Sequence, residues 1–76
     1  IAHHYAANDH HPEHWPNGVN DMSLLSILEM LCDWKAASER TKQGSIQQSL
    51  PINKERFGIS DQLYAVLENT VRELGW

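Results

Sequence analysis

Between Met22 and Trp34 the chain carries only two charged side chains, Glu29 and Asp33, four residues apart. The run falls well short of the roughly 20 apolar residues needed to cross a bilayer. It has no alternating β-branched pattern that would suit a strand. A helix accommodates it best. Asp21 or Ser23 can cap its start, Lys35, Arg40 and Lys42 suit its C-terminal end, and Gln43-Gly44 stops it. The pattern predicts a long central helix over about residues 22–42. On its wheel Ile27, Leu31, Leu24 and Trp34 lie opposite the two carboxylates, while Leu25, Leu28, Met30 and Cys32 flank them. Apolar residues on all sides predict burial all round.

A second helix is as legible, over about residues 61–74. Ser60 is its N-cap, Asp61 sits in the first turn, Leu63, Val66, Leu67, Thr70 and Leu74 recur at helical spacing, and Gly75 ends it. Between the two, SIQQSLP reads as an irregular connection, with Pro51 near the start of a short helix ending at Phe57-Gly58. Upstream, Ile1 to Ala7 resembles a helix end stopped by Asn8-Asp9, and His10 to Asn20 reads as loop with about one helical turn. The expected class is all-α, a small helical domain.

With 76 residues, 41% apolar and 21% charged, the composition suits one globular domain over residues 1–76. A core of this size rarely supplies more than about 3–5 kcal/mol. A metal, a partner copy in a homo-oligomer or further chain is therefore expected to help. Because the sequence opens at Ile1 in helix-like residues, it reads as the C-terminal part of a longer chain, with an upstream segment missing. Ten carboxylates against six Lys and Arg give a formal charge of −4 with no basic stripe, which argues against nucleic acid as a partner. Cys32 is the sole cysteine, so no internal disulfide forms. With no signal peptide or membrane span, a cytoplasmic setting is expected.

The chemistry concentrates in five histidines, His3-His4, His10-His11 and His14, in a chain that has no others. Imidazoles joined by a carboxylate suit a divalent ion such as zinc, manganese or iron. His11 and His14, three apart across Pro12, converge if that segment turns helically. Adjacent histidines on a helix point about 100° apart, so one of each doublet faces a given centre. Burying Glu29 and Asp33 costs several kcal/mol unless a cation, a hydrogen-bond network or a proton compensates. The plainer alternative is that single histidines cap helix ends or stack on Trp15 and Tyr5, and that Glu29 pairs with Arg40 or Arg56. Glycine-rich phosphate loops, a His-Glu-x-x-His helix and a nucleophile elbow are all missing.

The segments HHPEH, EMLCDWKA and INKERFGISDQL give the chain an end-to-end resemblance to an uncharacterised bacterial and phage domain family of unknown function. Members of that family are longer, with an upstream half carrying a His-Asp pair before a Ser-Lys. The arrangement is distantly similar to HD-type metal-dependent phosphohydrolases. That resemblance implies Asp33 as the late aspartate and His4, His11 and His14 as histidine ligands, with His3 or His10 as the competing choice in each doublet. Glu29 would bind a second metal, position water or orient a histidine, so that Glu29 and Asp33 form the implied catalytic pair. The implied substrate is a phosphate ester or nucleotide. The chain departs from the pattern in having no His-Asp doublet, since Asp9-His10 reverses the order. The competing expectation is a non-catalytic interaction or assembly module of phage origin.

Overall fold

Three serines set the starts of three helices in the computed structural model, which describes residues 10–76. Helix α1 spans Leu24–Ser38, α2 spans Ile46–Phe57 and α3 spans Asp61–Leu74. The hydroxyls of Ser23, Ser45 and Ser60 accept hydrogen bonds from the backbone N–H groups of Ser26 (3.1 Å), Gln48 (3.1 Å) and Leu63 (3.2 Å). Each bond satisfies a first-turn donor that the helix itself leaves without a partner. Among the described residues there is no strand, and no helix is long and apolar enough to cross a membrane.

Two glycines end α2 and α3. Gly58 (φ 63°) and Gly75 (φ 73°) adopt the left-handed conformation that folds the chain back over the last turn. The Ile59 N–H then reaches the Lys54 carbonyl (3.0 Å) and the Trp76 N–H the Val71 carbonyl (2.9 Å). Both reversals return an apolar side chain to the core, where Ile59 is buried and Trp76 packs at the margin.

Helix α1 stops at Ser38, earlier than its charge pattern suggests. The Ser38 hydroxyl bonds back to the Lys35 carbonyl (2.7 Å), and the Glu39 N–H is shared between the Lys35 and Ala36 carbonyls at 3.2 Å. Such shared bonds tighten and close a last turn. Residues 39–43 continue as turns, and Gly44 passes so close that a Cβ there would sit 2.3 Å from the Ser38 carbonyl oxygen.

The core is built from Ile27, Met30 and Leu31 of α1, Ile46 and Leu50 of α2, Leu67 and Val71 of α3, and Ile59 between the last two. The spacings of three and four put each set on one helix face. The main packing is α1 on α2 and α2 on α3. With one principal neighbour among the described residues, α1 buries one face, and the exposure of its other side corrects the expectation of burial all round. Leu24 is 72% exposed and Leu25 60%, and Leu28 and Cys32 are exposed as well. Asp33 is also exposed and Glu29 half-buried, so desolvation does not force a cation on them.

Helix α2 also departs from expectation. It begins at Ile46, so that Pro51 lies inside it. A proline there removes one intrahelical bond, to the Gln47 carbonyl, and crowds that carbonyl with its ring. Gln47 and Pro51 are both exposed, on the side where water can replace the lost donor, while Ile46 and Leu50 hold the helix to the core. Ahead of α1 the described residues make two short 3-10 turns, Pro12–His14 and Gly18–Asp21. Asp21 is engaged there by the backbone N–H and the side-chain amide of Asn17 (2.9 and 3.2 Å), which leaves Ser23 to cap α1. The helix end expected over Ile1 to Ala7, and with it His3 and His4, lies outside the described residues.

Candidate metal centre

Pro12 is buried at the first position of its 3-10 turn, where a fixed φ and a missing N–H cost nothing. The His14 N–H bonds to the His11 carbonyl (2.9 Å) and the Trp15 N–H to the Pro12 carbonyl (3.1 Å). Residues three apart in such a turn lie one above the other. The rings of His11 and His14 accordingly stand 5.2 Å apart, centre to centre, as the spacing across Pro12 predicts. The ring of His10 lies 4.3 Å from that of His11 on its other side. Three imidazoles thus form a run along the loop, with the Glu13 carboxylate 4.0 Å from the His11 Nδ1.

This loop meets α1 at Asp33. One ligand atom each from His10, His11 and Asp33 lies within 4.8 Å of the other two. Tetrahedral ligands about 2.0–2.2 Å from an ion are roughly 3.3–3.6 Å from one another. A contraction of little more than an ångström, within reach of side-chain rotation, would bring the three onto one ion. His10 and His11 are half-buried and Asp33 exposed, so the group is fixed on the loop side and open to solvent on the other.

Asp33 stands between two hollows. His10, Glu29, Cys32 and Asp33 line a small one along α1. His11 and Asp33 also border a wider cleft of about 400 Å³ between α1 and α2, whose other walls include Trp34, Asn53, Arg56 and Phe57.

A family model described as a family of unknown function, DUF5662, matches residues 1–73, nearly the whole chain. The chain belongs to that family. Among curated proteins and among solved structures, nothing matches it. The DUF5662 match takes in all five histidines together with Asp33 and the residues of the cleft.

Of the ligands named from the DUF5662 sequence, His11 and Asp33 are brought together. His10 joins them, beside His11 and not in competition with it. His14 adjoins His11 but stays outside the three-residue group, Glu29 lines the neighbouring hollow, and His4 lies outside the described residues. The wall contributed by α2 has no counterpart in the sequence pattern, which sets Trp34 opposite the two carboxylates of its helix and offers Arg40 or Arg56 as a partner of Glu29. A signal was present: Trp34 adjoins Asp33 in one helix and Phe57 adjoins Arg56 in the next. Each pair sets an aromatic ring that can pack between helices beside a charge left at the margin.

Proposed function

We propose that this DUF5662 domain binds a divalent cation through His10, His11 and Asp33. The observation that carries the proposal is the meeting of two loop imidazoles with a helix carboxylate drawn from far along the chain. Two neutral imidazoles and one carboxylate suit zinc, manganese or iron, and three protein ligands with an open side are the pattern of a reactive site, not a sealed structural one. His14, whose ring adjoins that of His11, would complete the shell from the same loop. His4 is a further candidate ligand from the N-terminal segment.

The finer reading is a metal-dependent phosphohydrolase, the activity that the sequence resemblance implies, and what supports it is the open cleft beside Asp33. A divalent cation there would neutralise charge on a phosphoryl group. Glu29, one turn before Asp33 and in the neighbouring hollow, would take the proton from an attacking water at its carboxylate oxygen. The new P–O bond forms from that water, the ester P–O bond breaks, and the proton ends on the leaving alcohol.

A second reading, a non-catalytic assembly module, is favoured by the exposed Leu24, Leu25 and Leu28 on α1, an apolar face suited to another protein surface or a second copy. One experiment separates the two. Metal content and solution mass are measured on tag-free protein, with phosphomonoester hydrolysis assayed in parallel. One stoichiometric ion in a folded monomer supports the metal site. A metal-free protein that folds only as an oligomer supports assembly.

A further inference from the structure

Ser49, Asn53 and Arg56 recur at four and three residues, so they share the face of α2 that looks across the cleft to α1. Arg56 has no carboxylate within 4.0 Å among the described residues. Its guanidinium carbon lies 5.0 Å from the centre of the Phe57 ring. The half-buried side chain of Asn53 makes no hydrogen bond among the described residues. Among the described residues the cleft thus holds one guanidinium over a ring and without a carboxylate partner and one uncommitted amide, on the wall opposite His11 and Asp33.

Charge decides what such a cleft takes. Among the described residues that line it, Glu13 and Asp33 are the carboxylates and Arg56 the one Lys or Arg. A divalent ion on His10, His11 and Asp33 turns the balance positive, and its open positions border the space in which the guanidinium lies. A guanidinium presents a planar pair of donors matched to two oxygens of one phosphoryl group. We propose that this cleft binds a phosphomonoester. One phosphoryl oxygen lies on the metal, others lie on Arg56 and Asn53, and the organic part rests against Trp34 and Phe57. The inference rests on the metal reading above and deepens the phosphohydrolase reading by naming the residues on α2 that recognise the phosphoryl group and the organic part.

The test uses the whole chain loaded with Co²⁺, whose visible absorption reports the atoms bound to it, titrated with inorganic phosphate and then with phenyl phosphate. Both ligands are expected to change the Co²⁺ spectrum, and phenyl phosphate to bind more tightly because its ring adds contact with the aromatic pair. Arg56→Gln should weaken both by about 10- to 100-fold, the size of a lost charge-assisted contact, and leave Co²⁺ affinity unchanged. Arg56→Lys, which keeps the charge without the fork, should fall between. A Co²⁺ spectrum that phosphate does not move, or equal phosphate affinity in Arg56→Gln, overturns this inference and leaves the metal site standing. Failure of the native protein to bind Co²⁺ removes the metal reading, and this inference with it.

Discussion

The rings of Trp34 in α1 and Phe57 in α2 stack 5.9 Å apart, centre to centre, with planes 9° from parallel. The pair ties the two helices together where the cleft lies between them, and both rings pack against the buried core. The geometry that sets the width of the candidate site is therefore also part of what holds the domain.

Phe57→Ala should accordingly cost about 2–3 kcal/mol, somewhat less than the loss of a fully buried phenylalanine because Phe57 is half-buried. Phe57→Tyr should be nearly neutral, since it keeps the ring. Urea unfolding at fixed pH measures both. Equal midpoints for Phe57→Ala and the native chain would show that the stack contributes little.

Metal affinity should separate the histidines. His10→Ala, His11→Ala and Asp33→Asn are each expected to lower affinity for Zn²⁺ at least about tenfold, since each removes one of three ligands. His14→Ala should do less, because His14 stands beside His11 and outside the group. Competition with a chromophoric chelator reads these affinities. A larger loss from His14→Ala than from His10→Ala would move the centre toward the end of the Pro12–His14 turn.

The sequence places α3 correctly to the residue, because Ser60 and Gly75 are local signals that act within one turn. It misjudges α1 and α2 where the outcome depends on neighbours. Leu24, Leu25 and Leu28 look like core until it is known that α1 packs chiefly on α2, and Pro51 looks like a helix start until Ser45 is seen to cap an earlier one. At the candidate centre the convergence of His11 and His14 follows from spacing. The choice of His10 over His14 beside Asp33 depends on how the loop docks on α1, a long-range contact that no local pattern encodes.

Gly58 isolates a purely backbone cost. A Cβ at this position meets nothing within 4 Å, so Gly58→Ala introduces no clash and pays only for holding a φ of 63°. The expected loss is about 1–2 kcal/mol, and Gly58→Asn should lose less, since asparagine tolerates the left-handed region better. Thermal unfolding of the two variants side by side checks the order.

Tyr64 gives a pH dependence with a definite sign. Burial pushes its phenol above the ordinary value of 10.0, and Glu68 adds to the shift by repelling the phenolate and hydrogen-bonding the phenol. Lys54, whose ammonium lies 5.7 Å from the ring centre, opposes it. The folded chain therefore keeps this proton when the unfolded chain has lost it. The contribution to stability is fully present below pH 10 and is lost as pH rises through the folded value. Absorbance of the phenolate should show Tyr64 titrating late, and Glu68→Gln should bring it earlier. A Glu68→Gln titration that coincides with the native curve would exclude Glu68 as a cause.

Pro51→Ala should stabilise the domain. The new N–H at position 51 can donate to the Gln47 carbonyl, completing the α2 ladder, and the ring no longer crowds that carbonyl. Two effects oppose the gain: an alanine allows the unfolded chain more freedom, worth about 0.4–1 kcal/mol, and the exposed Gln47 carbonyl already has water as a partner. A proline in a helix interior costs about 3 kcal/mol relative to alanine, so the net should remain favourable by about 1–2 kcal/mol. Because Ser49, Asn53 and Arg56 ride on the same helix, any change in the course of α2 at position 51 would also shift the wall of the cleft. Urea unfolding reads the first effect and phosphate titration of the Co²⁺-loaded protein the second. A gain in stability with weakened phosphate binding would show that the proline sets the angle at which α2 presents Arg56 to the site.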